Sequence, residues 1–538
     1  MRGKLVLQDL NDEPAGELLK RIQTEKAKLV AEGKIKKDKP LSPISDEEKP
    51  FELPQGWEWV KLGVLTKKLT DGSHNPPKDA GEGFPMLSSQ NVNFGKIDFE
   101  SPSRYVSKED FEIENSRTRI ESGDVLLTIV ASLGRPAVVP DNAPKFVLQR
   151  SVAVIKTDLL AEFLCLHLGS PLCLRFYDIH GKGTAQKGIY LGQLSEMPIV
   201  VPPFSEQHRI VAKVDELMAL CDQLETQHNN AAAAHEKLVS HLLGTLTQSQ
   251  SADDFNANWQ RITAHFDTLF TTEVSIDVLK QTLLQLAVMG KLVPQDPNDE
   301  PARELLKRIQ AEKAKLVAEG KIKKDKPLPP ISDEEKPFEL LQGWEWVRLQ
   351  SVIDVRDGTH DSPKEAEGET TSYPLVTSKD FFEGGINFDT ARRISEADHS
   401  EISKRSLVEK YDILFSMIGG NIGNQVMVRD DRPFSVKNVA LFKYYDRNLT
   451  FPFFIKKYME NLAVSLQSSA IGGAQPFITL GTLRNLVMAL PPIAEQHRIV
   501  TKVDELMALC DQLKSRITQA GQLQKKLADV VVEQAIAS

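Results

Sequence analysis

Apolar residues recur at alternating steps of four and three along Ile210, Val214, Leu217, Cys221 and Leu224, with charged and amide side chains between them. The same pattern returns at Ile499, Val503, Leu506, Cys510 and Leu513. Such spacing is the a/d seam of a helix that buries one narrow stripe against a neighbouring helix. It continues more weakly through Ala231, Leu238 and Leu242, and through Ile517, Ala520, Leu527 and Val531. Each copy therefore predicts a helix of roughly forty residues, on the order of 60 Å long. Two arrangements would bury the seams: each copy packs on the other, or each is an ordinary core helix of its own domain.

Repetition of the whole pattern favours the first. Pro202 to Glu225 and Pro491 to Lys514 differ only at Phe204/Ile493, Ser205/Ala494, Ala212/Thr501 and Glu225/Lys514, far closer than shared helix composition would produce. A second repeat flanks the first. Gly3 to Leu62 and Gly290 to Leu349 differ at about seven positions, such as Gly16/Arg303, Thr24/Ala311 and Ser42/Pro329. Within it a charged helix stops at Gly33, a basic connector (Lys34 to Lys39) and an acidic turn (Ser45 to Pro50) follow, and Gly56-Trp57-Glu58-Trp59 opens a strand. We read the connector as a solvated linker and the tryptophans as packing residues, not as base-stacking platforms.

The segments are a conserved stretch (1–59), a variable domain (60–201), a central conserved region (202–346), a second variable domain (347–490) and a conserved C-terminal helix (491–538). Read around a circle, the two ends together copy the centre. That order predicts a pseudo-twofold internal repeat with antiparallel long helices and termini close together. Each variable domain mixes short apolar β-type runs, Asp124 to Val130 and Asp412 to Ile418, with turn-forming residues. The fold class expected is α+β: two mixed α/β domains joined by long antiparallel coiled-coil helices.

Bulk composition narrows the class further. A chain of 538 residues with 41% hydrophobic side chains exceeds one core. Its start lacks a signal-peptide core, and no run of about eighteen apolar residues occurs, so a soluble, cytoplasmic protein without membrane contact is expected. Four cysteines form neither a zinc nor a disulfide framework. The net charge of −9 argues against coating nucleic acid by electrostatics alone but leaves room for reading bases through a few side chains.

The variable domains share a skeleton: Asp71-Gly72-Ser73-His74 answers Asp357-Gly358-Thr359-His360, and Ala185-Gln186 answers Ala474-Gln475. With the Pro-Pro-x-x-Glu-Gln-x-x-Ile-Val helices and the strand Gly123 to Leu127, this layout resembles the specificity subunit of type I restriction-modification systems over essentially the whole chain. Two departures, Tyr411 for Gly123 and Gly473 for Thr184, leave the resemblance intact. It implies a non-catalytic, prokaryotic DNA reader whose two target-recognition domains each read half of a bipartite double-stranded site. The helices would set the gap and dock two methyltransferase subunits, and restriction/translocase subunits would complete an ATP-dependent nuclease. No cofactor is expected in this chain; S-adenosylmethionine, ATP and Mg are expected in the partners.

Positions identical in both domains cannot explain different half-sites, so Asp71, Gly72, His74 and their counterparts are expected to form a shared turn. Base readers should lie in divergent polar loops, since Arg and Lys suit guanine and Asn and Gln suit adenine. In the first domain the candidates are Ser88, Ser89, Gln90, Asn91, Arg104, Arg135, Lys182 and Lys187. In the second they are Thr377, Ser378, Lys379, Arg392, Arg393, Asn421, Asn424 and Gln425. A self-contained methyltransferase is disfavoured: Asn75-Pro76-Pro77 is followed by Lys78, where an aromatic ring would stack on a flipped base, and there is no cofactor or phosphate loop. A scaffold or decoy subunit with degraded readers is the remaining alternative.

Overall fold

The computed structural model describes residues 2–37, 39–183, 187–249, 252–366, 371–382, 385–471 and 476–537. The chain divides into two compact units, Met1–His228 and Asn229–Ser538. In unit 1 the first helix, α1 (Ala15–Ala31), buries Ala15, Leu18 and Ile22 along one face. Strand β1 (Glu58–Lys61) follows the conserved stretch. A four-stranded antiparallel sheet is built from β2 (Thr66–Asp71), β5 (Val125–Thr128), β6 (Pro136–Val138) and β8 (Val152–Thr157), in the order β2-β8-β5-β6.

Both faces of this sheet are covered at its centre, which is why the central strands β5 and β8 read as largely apolar runs while the edge strand β2 does not. Val125, Leu127, Ala153 and Ile155 face one core, and Leu126, Val152 and Val154 face another. A smaller sheet of β3 (Phe84–Leu87), β4 (Arg104–Val106) and β7 (Val147–Leu148) has β3 in the middle. It pairs antiparallel with β4 and parallel with β7. Helix α2 (Lys108–Thr118) follows β4.

Unit 1 is closed by its own ends. Strand β1 pairs with β9 (Pro198–Val201), just before the long helix α3 (Phe204–Thr247). Trp57 donates its indole N–H to Glu206 at 2.9 Å, and Arg209 grips Asp12 at 2.6 Å. The conserved stretch and the helix base thus clamp the variable domain between them, although they enclose it from opposite ends of the sequence.

Unit 2 repeats this plan. After α4 (Ala252–Ala264), α5 (Glu273–Val288) and α6 (Ala302–Ala318) come β10 (Glu345–Arg348), β11 (Ile353–Asp357), β12 (Ser372–Val376) and β13 (Arg392–Ser395). Helix α7 (Glu396–Ser406), β14 (Ile413–Ser416), β15 (Gln425–Met427), β16 (Ser435–Val436), β17 (Val439–Tyr444), β18 (Val487–Leu490) and α8 (Ile493–Ala537) complete it. The sheets are β11-β17-β14-β15, β13-β12-β16 and β10-β18, the same orders as in unit 1. Trp344 bonds Glu495 at 2.9 Å and Arg498 bonds Asp299 at 2.6 Å.

The helical seams are only partly as the periodicity predicts. On α8, Ile499, Val503 and Cys510 are buried and Leu506 and Leu513 half-buried. The lower seam joins the core of its own unit, and the stretch around Cys510 packs on α5, flanked by Lys280–Asp511 and Lys514–Asp277 bridges. Helix α5 carries its own seam, Ile276, Leu279, Leu283 and Leu286, which sequence reasoning did not single out. On α3 only the base follows the expectation: Ile210 is buried with Trp57, and Val214 is half-buried.

Leu217, Cys221 and Leu224 are exposed, with no described residue of unit 1 covering them. Further along α3 the buried residues are Val239, Leu243 and Leu246, while Leu238 is exposed, a shift of one position. A straight helix has about 3.6 residues per turn, so its buried face drifts away from a strict heptad. Leu527 and Val531, the far end of the second seam, are exposed as well.

Candidate nucleic-acid interface

The turn after β3 shows why most of its polar residues are not free to read anything. Ser88 N donates to Asn91 Oδ1 at 3.0 Å, and Asn91 Nδ2 donates to Ser101 O at 2.7 Å. After β12, Thr377 donates from N and Oγ1 to Asp380 Oδ2 at 2.8 and 2.9 Å. Backbone groups in a tight turn need partners, and these side chains supply them. Ser88, Ser89 and Asn91 are buried, and Thr377 and Ser378 half-buried. Ser88 and Asn91 therefore hold the turn, and the burial of Ser88, Ser89 and Asn91 corrects their assignment as DNA-contacting residues, whereas Thr377 and Ser378 stay partly open to solvent. The residues left exposed are Gln90 and Lys379, which occupy the same place, because Leu87 pairs with Leu148 as Val376 pairs with Val436.

The neighbouring strand gives a second equivalent pair. Arg104 lies opposite Met86 and Arg392 opposite Leu375, one residue before those paired positions. Arg104 Nη1 donates to Pro77 O at 2.6 Å, which half-buries it, whereas Arg392 is exposed near Glu365. Lys379 and Arg392 share a cavity of about 430 Å³ with Asn387 and Thr390. Arg393 instead donates to Ser372 Oγ at 2.6 Å, bracing its own strand pair.

A second cluster sits at the β5–β6 hairpin. Arg135 O accepts from Thr128 N at 3.1 Å, and Asn424 O accepts from Ser416 N at 2.8 Å, so these residues also correspond. The loop carrying exposed Lys182 and Lys187 is tied to this hairpin, since Ala131 N donates to Lys187 O at 2.8 Å. Lys187 lies 3.6 Å from Asp178. In unit 2, Gly419 N donates likewise to Pro476 O at 2.8 Å. Asn421 and Asn424 are exposed, but the amide of Gln425 is inaccessible and has no partner among the described residues, so it is not presented to a ligand in this conformation. Ala185-Gln186 and Ala474-Gln475 lie outside the described residues.

The shared Asp-Gly-Ser/Thr-His turn has a partner that sequence reasoning missed. Asp71 accepts from His74 at 2.8 Å and from Arg117 near the end of α2. Asp357 accepts from His360 at 2.8 Å and from Arg405 near the end of α7 at 3.1 Å. A signal existed: each helix begins with a capping serine, Ser107 or Ser395, whose hydroxyl accepts from Asp110 N or Asp398 N, and the arginine stands at the same offset from it.

Each unit thus places unlike side chains, Gln90 and Lys379, Arg135 and Asn424, at like positions of one scaffold, while Arg104 and Arg392 are the same residue at one position, bonded to Pro77 in unit 1 and exposed near Glu365 in unit 2. The family described as "Type I restriction modification DNA specificity domain" matches the chain over residues 54–233 and 342–520. Each match runs from just before a tryptophan strand into the following long helix, as the closed units do.

The chain belongs to that specificity family.

Similarity to individual members is full-length. The type I restriction enzyme EcoAI specificity subunit of Escherichia coli is 40% identical over 100% of this chain and 92% of that protein. The EcoEI specificity subunit, also of Escherichia coli, is 38% identical with the same coverage. Among solved structures, the HsdS subunit from Thermoanaerobacter tengcongensis is 20% identical, covering 89% of this chain and 97% of that one, with a TM-score of 0.41.

Proposed function

We propose that this specificity-family chain reads an interrupted duplex DNA site, one half with each unit, for a type I restriction-modification complex. The observation that carries this reading is the register equivalence of Gln90/Lys379 and Arg135/Asn424. A shared scaffold presents different hydrogen-bonding groups at the same places, which is what two readers of different half-sites require. The same logic disfavours a degraded decoy, because these groups are mostly exposed polar side chains and not apolar replacements.

Methyl transfer and cleavage come from partner subunits: two methyltransferase subunits, whose S-adenosylmethionine supplies the methyl group, and restriction subunits using ATP and Mg. The long helices α3 and α8 would set the gap between half-sites and dock the methyltransferase subunits. Genome-wide mapping of N6-methyladenine, with and without this chain and with the partner genes intact, tests the reading. Loss of methylation at one interrupted motif is the expected result; no change, with the partners expressed, would refute it.

A further inference from the structure

Beyond the divergent readers lies a feature the two units share residue for residue, although His74 and Arg117 bind different oxygens of Asp71 while His360 and Arg405 bind the same oxygen of Asp357. In each, a nearly buried carboxylate, Asp71 or Asp357, holds a histidine and an arginine that both reach solvent. The aspartate side chains are 10% and 7% exposed, while Arg117 and Arg405 are 44% and 65% exposed. The turn that carries the aspartate is pressed onto the strand beneath it. A Cβ on Gly72 would stand 2.1 Å from Leu148 O, and one on Gly358 would stand 2.7 Å from Val436 O. Ser73 N donates to Leu148 O at 2.7 Å, and Thr359 N to Val436 O at 2.9 Å.

That strand is also where the divergent turn is anchored. Gln149 N donates to Leu87 O at 2.8 Å, and Lys437 N to Val376 O at 2.9 Å, each just before the turn bearing Gln90 or Lys379. The invariant arginine and the divergent side chain are therefore held by one strand end in both units.

We infer that Arg117 and Arg405 each bind a phosphate of the DNA backbone, oriented by the Asp–His turn, and so set the position of each reader independently of base sequence. Identity between units that read different half-sites excludes base discrimination as the role. A guanidinium fixed on one edge by a carboxylate still offers donors on its remaining edges, the geometry that suits phosphate oxygens. Backbone contacts fix register, and base contacts then specify. His74 and His360 act as positioning residues through the aspartate. A latch serving only to tie helix to turn would not need its arginine so exposed.

This inference rests on the DNA-reading function proposed above, and the test separates the two. The full chain, in complex with its methyltransferase partners, is titrated with a mixed-sequence duplex at several salt concentrations, as wild type, Arg117→Gln, Arg405→Gln and the double variant. The slope of log K against log salt should fall by about 0.9 for each arginine lost, and by about twice that in the double variant. Arg117→Lys, which keeps the charge, should restore the slope. The methylated motif in cells should keep its sequence while the extent of methylation drops. An unchanged slope with a lowered melting temperature would show a structural latch and overturn the inference, as would a change of base preference. Absence of any motif with the wild-type chain would instead refute the function itself.

Discussion

The indole of Trp57 meets the carboxylate of Glu206 across 149 residues of sequence, and Trp344 meets Glu495 across 151. Both carboxylates are buried, and in each the second oxygen has no partner among the described residues. Burial raises the pKa of Glu206 and Glu495 above the ordinary value, with the indole bond opposing it. A raised carboxylate pKa means the charged form is disfavoured by folding, so the cost is present above the folded pKa and relieved as the pH falls through it. Trp57→Phe should destabilise unit 1 by about 1–3 kcal/mol, because the carboxylate loses its donor. Glu206→Gln, which keeps an acceptor and removes the charge, should leave stability at neutral pH equal or higher, with the difference vanishing in acid. Urea melts followed by circular dichroism check both signs.

The acidic turn is gripped differently in the two units. Arg348 forks onto Glu335 at 2.6 and 2.8 Å, where unit 1 has Lys61 on Glu48. The Arg348 bonds pull the Glu335 pKa from 4.5 to about 2. A depressed carboxylate pKa contributes stability that is complete above 4.5 and lost as the pH falls toward 2. Arg348→Lys should raise the Glu335 pKa and move this loss to higher pH, read by carboxyl-carbon NMR titration. An unaltered titration would contradict the bidentate geometry.

The cysteines at equivalent seam positions should differ in reactivity. Cys221 is exposed, whereas Cys510 lies under α5 with its thiol pKa raised by burial. Burial also lifts Cys165 to about 11 and Cys173 to about 12. Iodoacetamide on the native full chain should alkylate Cys221 first and the other three only on unfolding, by peptide mass spectrometry. Equal rates at Cys221 and Cys510 would remove α5 as the cover of the second seam.

Tyr411 stands where unit 1 has Gly123, and it takes the same left-handed backbone, φ 69° against 82°. Its N–H donates to Val428 O at 2.7 Å, as that of Gly123 donates to Val139 O at 2.9 Å. A side chain there is strained by about 1 kcal/mol. Tyr411→Gly should leave unit 2 as stable or slightly more so, despite the lost ring packing on Phe453. Loss of more than about 1 kcal/mol in denaturant melts would show that the ring contributes more than the backbone costs.

How far the sequence reached is clearest at particular residues. Repetition exposed both units, since near-identity over Gly3 to Leu62 and Pro202 to Glu225 is visible without any structure, and the short motif at Asp71 and Asp357 stood out against divergent surroundings. Periodicity found both long helices but not what covers them, because an a/d stripe names no partner; α5, with Ile276, Leu279, Leu283 and Leu286, carried an answering stripe that went unread. The candidate readers were chosen as polar loop residues, and polarity does not say whether a side chain points outward or closes its own turn. Gln90 and Asn91 are adjacent, yet one is exposed and the other is bonded to Ser88 and Ser101. Arg117 was hidden because it acts through Asp71, 46 residues away.

The most direct test of the account replaces readers in one unit only. Gln90, Arg104, Arg135, Lys182 and Lys187 are changed to alanine in the full chain, unit 2 is left intact, and N6-methyladenine is mapped at base resolution in host DNA with the partners present. Relaxed or lost base preference confined to one half of the interrupted motif, with the other half and the gap unchanged, is the predicted result. A change spread over both halves, or an untouched motif at full methylation, would contradict the assignment of one half-site to each unit.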